Sequence, residues 1–305
     1  MNKKTNKIHI PADVPLTVQA TYLNNYKTLT KDTGHIFIFS GDQKIEHLNE
    51  DFFGESIHPD AQDPEHLFRI ASQGTIGAFA TQLGLIAHYG KQYPQIPYIV
   101  KMNSKTNIVP TSEKDPYSMQ LYSIDDIVRF SRESGLSIIG IGYTIYLGSE
   151  HEHEMLHEAA SLILEAHHNG LLAIVWMYPR GQAVTKERDP HLIAGAAGVA
   201  TCLGADAAKV NTPLSEPNAY ARDLQMIALA AGRTKIVCSG GVKQEPTKFL
   251  AELATQLEHG IAGCAVGRNI YQSSLADSIK LTNAMSELIY DGTELQTVLA
   301  TYYPK

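Results

Sequence analysis

With 305 residues, 44% of them hydrophobic and 19% charged, the chain is long enough to bury one large core and too apolar to be disordered. Lysine and arginine number 25 against 32 aspartate and glutamate, a formal net charge of −7. That balance excludes a general affinity for nucleic acid or anionic membrane, and any anion that binds must be met by local donors.

Cys202, Cys238 and Cys264 are odd in number, lack CxxC spacing and lie in apolar or small-residue contexts, which predicts buried free thiols in a reducing cytoplasm. The basic start MNKKTNKIHIPADVP leads into no apolar run of signal-peptide or transmembrane length, so the chain reads as unexported and cytoplasmic.

An amphipathic segment near 16–30 comes first, placed to plug the lower end of whatever sheet follows. Strand 36–42 (IFIFSGD) opens the sheet, a charged, glycine-punctuated loop covers 42–63, and a helix is predicted over 64–73. The alternation then repeats: strand 76–81 and helix 83–90; strand 97–102, a polar loop 103–123 broken by Pro110 and Pro116, and helix 124–134; strand 138–143 and helix 150–168. Four more pairs follow, strands 171–178, 206–211, 235–240 and 263–268 with helices 189–203, 217–232, 245–258 and 271–287, and a tail 288–305 is expected to pack outside.

Eight strands each followed by a helix predict an α/β protein built as a single (β/α)8 TIM barrel domain over 1–305. The expected parts are a short N-terminal helical extension (1–35), the barrel (36–287) and the C-terminal tail (288–305). In such a barrel the functional groups sit at the C-terminal ends of the strands, where the loops 42–63 and 103–123 form either a lid or plain surface insertions.

Lys209, in GADAAKVN at the end of the sixth strand, shares by alternation the inward face with Ala207 and Asn211. Desolvation favours its neutral amine, the form that attacks a carbonyl to give a Schiff base; alone, it reads equally as a lysine snorkelling at a strand end. On the fifth strand Trp176 and Tyr178 share a face, and Tyr178 is placed to exchange protons with a substrate or to be a rim aromatic with a satisfied hydroxyl. Asp42 closes the first strand as a catalytic carboxylate or a simple turn residue. Lys101 closes the third, as an oxyanion contact, a charge that depresses the pKa of Lys209, or the rival nucleophile.

The last two strands end in CSGGVK and AVGRN, where Ser239, Gly240, Gly241 and Gly267 expose backbone N–H groups, helix N-termini follow, and Arg268 adds a charged donor: a phosphate cradle. His151, His153 and His157 in GSEHEHEMLHEA lack metal-ligand spacing and are read as solvated, so no metal is expected. His47 is a substrate contact or a structural residue.

Taken together, GDQKIEH, YIVKMN, GYTIYLGSE, WMYPRG, GADAAKVN, SGGVK and VGRNIYQ, in this order through most of the chain, resemble the archaeal-type class I fructose-bisphosphate aldolases, a family of Schiff-base barrels also found in bacteria. The resemblance implies a Schiff-base role for Lys209, proton transfer by Tyr178, an active-site wall at Trp176 and a catalytic or hydroxyl-binding carboxylate at Asp42. It implies phosphate binding by Ser239, Gly240, Gly241, Gly267 and Arg268, and a homo-oligomer, commonly large and cyclic. The implied reaction is metal- and cofactor-free cleavage or formation of fructose 1,6-bisphosphate from dihydroxyacetone phosphate and glyceraldehyde 3-phosphate. The alternative is related chemistry on another phosphorylated sugar or ketone, as a transaldolase-like amino-sugar synthase or a thiolase acting on a phosphorylated diketone.

Two features depart from the family pattern. Gln43 and Lys44 replace a histidine and a glycine, and Asn211-Thr212-Pro213 follows the lysine strand. Lys44 and Arg180 are expected to face a distal phosphate.

Overall fold

The computed structural model describes residues 8–46, 49–109, 115–216 and 218–304. Eight parallel strands close on themselves in chain order: β1 (Ile36–Ser40), β2 (Ala78–Thr81), β3 (Tyr98–Lys101), β4 (Ile138–Leu147), β5 (Leu172–Pro179), β6 (Ala207–Val210), β7 (Lys235–Ser239) and β8 (Gly263–Val266). Each expected strand is present. The runs are mostly apolar because both faces are covered, with polar residues gathered toward the strand ends. Ile36, Ile38, Ala78, Ala80, Ile99, Leu172, Ile174, Ala207, Val237 and Ala265 fill the barrel, while Phe37, Phe39, Phe79, Tyr98, Val100, Val175 and Val210 face the surrounding helices.

Those helices are Glu65–Gln73, Leu83–Tyr89, Ile124–Ser134, Glu152–His168, Pro190–Leu203, Tyr220–Ala230, Pro246–Glu258 and Leu275–Ser286. Their starts follow from local chemistry. Ser123 and Asp126 form a reciprocal capping box, Asp189 caps a helix whose first residue is Pro190, and Glu245 does the same before Pro246. Among the described residues no helix is long and apolar enough to cross a membrane.

The N-terminal helix Gln19–Thr30 closes the bottom of the barrel, and Val14, Tyr22 and Leu29 join the interior cluster. Burying each large side chain there contributes roughly 2 kcal/mol. After the barrel, helix Leu295–Tyr302 packs on helices Pro246–Glu258 and Leu275–Ser286. Before it, Tyr290 reaches inward, donating to Leu29 O at 3.0 Å and accepting from Phe37 N at 3.1 Å.

Four expectations need correction. β4 runs to Leu147 rather than ending at 143, because residues 144–147 keep pairing with β5 beyond the rim, as far as Leu147 opposite Pro179. The helix expected over 271–287 is two helices, Arg268–Tyr271 and Leu275–Ser286, since Ser274 takes up Asp277 N and restarts the chain as an N-cap. The loop 42–63 folds into the short helical turns Gln43–Glu46, Glu50–Phe53 and Pro59–Gln62. Cys202 is exposed, unlike Cys238 and Cys264: helical period puts it off the stripe Ile193, Ala196, Ala197 and Ala200 that faces the barrel.

Beneath the barrel lies a buried charge cluster. Asp206, just before β6, accepts from Tyr22 Oη and from Ala173 N at 2.8 Å, and His167 bridges it to Asp13, with Nε2 3.2 Å from Asp206 and Nδ1 2.9 Å from Asp13. Burial works to lower the His167 pKa, but the two carboxylates prevail and raise it to about 9. A folded-state pKa above the unfolded value of about 6.5 means stability fully present below pH ~6.5 and lost as pH rises through 9. The expected outcome in denaturant titrations is a fall on the order of 3 kcal/mol across that window, absent in His167→Gln.

Candidate active site

At the C-terminal rim, strand register fixes which groups meet. Trp176 on β5 lies opposite Lys209 on β6, Thr144 on β4 opposite Trp176, Tyr146 opposite Tyr178, and Lys101 on β3 opposite Gly142. Period-two alternation turns Ser40, Lys101, Trp176, Tyr178 and Lys209 to the same interior as Ala207.

Lys209 is 5% exposed; its Nζ donates to Ser40 Oγ at 3.2 Å and stands 5.4 Å from the Trp176 ring centre. Burial pulls its pKa down to about 8, with Asp42 and Glu46 opposing the shift and Lys101 and Arg268 reinforcing it. At pH 7 roughly one such amine in ten is uncharged, about 200-fold more than for a lysine in water.

Lys101 is fully buried and differently engaged. Its Nζ donates to Thr144 Oγ1, lies 3.5 Å from Glu46 Oε1 and 3.8 Å from Asp42 Oδ2, and sits 4.6 Å over the Trp176 ring. Trp176 thus lies against both lysines. Gly142 makes the arrangement fit, since a Cβ there would fall 2.5 Å from Trp176 Cζ3 and 3.3 Å from Lys101 Cδ.

Tyr178 is a protonated phenol beside carboxylates. Burial first, then the charges of Asp42 and Glu46, push its pKa far above the ordinary value, against the pull of Arg180. The Arg180 guanidinium is 5.9 Å from the Tyr178 ring and 5.7 Å from that of Tyr146, and it grips Glu187 with two contacts of 2.9 Å.

The loops after β7 and β8 are pinned together by Asn269. Its Nδ2 donates to Gly240 O at 2.8 Å and Val242 O at 3.2 Å, while its Oδ1 accepts from Gln244 N at 2.8 Å. Gly241 has φ +64°, a value few other residues adopt. Ser239 Oγ lies 3.5 Å from Asn211 Oδ1, and Arg268 Nη1 3.7 Å from Asp51 Oδ2. The helix opened by Arg268 is a single turn, so this end offers backbone N–H groups and a guanidinium rather than a long helix dipole.

Lys101, Lys209, Asp42, Trp176, Tyr178 and Arg268 therefore share one electrostatic neighbourhood. Lys44 and Arg180, expected to face a distal phosphate, each have a partner within the chain: Lys44 Nζ donates to Gln62 O at 3.3 Å and lies 4.0 Å over the Phe52 ring, while Arg180 pairs with Glu187. His47 lies outside the described residues. His153 is an exposed side chain 3.1 Å from Glu154, and among the described residues no group of three or more His, Cys, Asp or Glu is disposed to hold a metal ion.

Five residues of the site escape sequence reasoning: Ser40, Glu46, Gly142, Thr144 and Asn269. Ser40 was readable from the alternation of IFIFS, but Thr144 was hidden by the unexpected length of β4, and Gly142 carries no signal until its neighbours are placed.

The sequence matches the family described as DeoC/LacD family aldolase over residues 36–273. A fructose-bisphosphate aldolase/6-deoxy-5-ketofructose 1-phosphate synthase of Methanocaldococcus jannaschii is 52% identical over 301 residues, 98% of this chain and 96% of that protein. A solved fructose-bisphosphate aldolase from Slackia heliotrinireducens superposes with a TM-score of 0.94 at 47% identity, covering 98% of this chain and 94% of the other. An archaeal fructose-1,6-bisphosphate aldolase, solved with its catalytic Lys covalently bound to the carbinolamine intermediate of the substrate, gives 0.75 at 31% identity over 88% and 99% of the two chains. An eight-stranded barrel with a buried amine at its rim and this set of relatives has one reading: the chain belongs to the DeoC/LacD aldolases and, within them, to the archaeal-type class I fructose-bisphosphate aldolases, a family of Schiff-base lyases.

Proposed function

We propose that the protein is a metal-independent aldolase that cleaves or forms fructose 1,6-bisphosphate, with Lys209 as the Schiff-base lysine. The observation that carries this reading is the Lys209 amine, buried in the barrel mouth and shifted to a pKa of about 8 beside the loops of β7 and β8.

The phosphate on C1 of the ketose rests on Ser239, Gly240, Gly241, Gly267 and Arg268, which brings the C2 carbonyl to Lys209. The Nζ–C2 bond forms, and Tyr178 gives its proton to the departing hydroxyl, which leaves as water. The resulting iminium draws in the electron pair of the C3–C4 bond as it breaks, and the Tyr178 phenolate takes the proton of the C4 hydroxyl, which becomes the aldehyde carbonyl. Arg180 and the charge of Lys101 stabilise that transient phenolate. Protonation of the enamine at C3 and hydrolysis release dihydroxyacetone phosphate. Asp42, held by Lys101, is placed to bind a sugar hydroxyl.

A second reaction has a specific observation behind it. The relative from M. jannaschii is also named a 6-deoxy-5-ketofructose 1-phosphate synthase. Cutting that product between C3 and C4 leaves the same three-carbon ketone phosphate and 2-oxopropanal, an aldehyde without a phosphate. Here Lys44 and Arg180 are both already engaged, which favours an aldehyde subsite that does not insist on a distal phosphate. A homo-oligomer is expected of such an enzyme.

A coupled assay with fructose 1,6-bisphosphate is expected to show cleavage that persists in a chelator; loss of activity on chelation contradicts the Schiff-base route. Tyr178→Phe is expected to lower kcat about 100-fold or more while borohydride still traps ketone on the protein, because the phenol moves protons and does not form the bond to nitrogen. Equal loss of trapping and turnover would assign Tyr178 a structural role instead.

A further inference from the structure

One polar side chain in the barrel mouth is left over from this scheme. Gln43, the first residue past Asp42, is 8% exposed, and its carboxamide has no hydrogen-bond partner among the described residues. Its Oε1 is sealed from solvent. Its Nε2 lies against the backbone of Gly267, so close that any Cβ at 267 would collide with it and with Ser40 O. Ser40 in turn accepts from Lys209 Nζ through its hydroxyl. The carboxamide therefore stands on the short path from the reactive nitrogen to the glycine loop of β8. Its neighbour turns away: Lys44 lies over Phe52, which stacks on Tyr271 at 5.0 Å.

Buried carboxamides are rarely left without hydrogen bonds; on the reading of the β8 loop as the phosphate subsite, the Nε2 donor of this one, which lies on Gly267, faces an arriving phosphoryl oxygen. Acidic groups nearby are taken up, Asp42 and Glu46 by Lys101 and Asp51 by Arg268, so an anion reaching Gly267 meets donors before it meets carboxylates.

We propose that Gln43 is a substrate-contacting residue that closes the phosphoryl cradle on its β1 side, its side-chain N–H donating to a phosphoryl oxygen held by Gly267 and Arg268. The proposal rests on the reading of the β7 and β8 loops as the phosphate subsite. It makes Gln43 a determinant of preference for phosphorylated over unphosphorylated ketones. It also accounts for Gly267, since a side chain at 267 would displace the carboxamide.

The test is borohydride trapping of the imine on the full-length protein at graded concentrations of dihydroxyacetone phosphate and of dihydroxyacetone, in wild type, Gln43→Met and Gln43→Glu. Met keeps the shape and removes the donor, and Glu adds a charge that repels phosphate. The ratio of half-saturating concentrations, unphosphorylated to phosphorylated, is expected to shrink about tenfold in Gln43→Met and further in Gln43→Glu. A ratio unchanged in both variants overturns the assignment, whether trapping is weakened for both ketones alike or for neither. A wild-type protein with no preference for the phosphorylated ketone overturns the phosphate reading itself. Trapping of dihydroxyacetone by each variant shows that the fold and the amine are intact.

Discussion

The proposed chemistry depends on how two lysines, both buried in one barrel mouth and both against Trp176, are made different. Lys101 is tied to Glu46, Asp42 and Thr144, so its nitrogen is occupied by ion pairs and a hydrogen bond. Lys209 has a single hydrogen-bond partner among the described residues, the hydroxyl Ser40 Oγ. Burial therefore prevails at Lys209 over the opposing charges of Asp42 and Glu46, and the neighbouring positive charge of Lys101 adds to the shift. In the proposed mechanism Lys101 provides a field and Lys209 provides the nucleophile.

The carboxylates that restrain Lys101 also act on Tyr178. Burial, and after it the charges of Asp42 and Glu46, raise the phenol's pKa, so it holds its proton. In the proposed mechanism, charge on the substrate reverses that preference: once an iminium stands beside the ring, the phenolate gains a cation in addition to Arg180. Proton donor and proton acceptor can thus be the same group at successive steps, with the direction set by the charge on C2 and nitrogen. The strand register makes this coupling rigid, since Trp176, Lys209, Tyr178 and Lys101 all project from paired strands rather than from loops.

Much of this was legible in the sequence for a physical reason. Strands covered on both faces must be continuously apolar, so a lysine, an aspartate or a tyrosine at the end of such a run is conspicuous, as at Lys101, Asp42, Tyr178 and Lys209. Glycine pairs closing the last two strands were visible for the same reason. What the pattern could not carry was geometry across the barrel. Gly142 matters only because an indole from the next strand occupies its Cβ position, and Asn269 only because the β7 loop passes within reach of its amide. For Lys44 the strand-end position could not give an orientation: the turn Gln43–Glu46 sets it over Phe52 and leaves Gln43 facing inward. Cys202 misled because small neighbours on a helix do not specify which face is buried.

The central claim is that Lys209, and not Lys101, is the amine that reacts in its neutral form. The direct measurement is the rate of imine trapping with dihydroxyacetone phosphate and borohydride as a function of pH, with the modified peptide mapped at each point. The account predicts an adduct on Lys209 whose rate of formation rises and levels off around pH 8. An adduct on Lys101, or a rate that keeps climbing toward the ordinary lysine pKa of about 10.4, would contradict it.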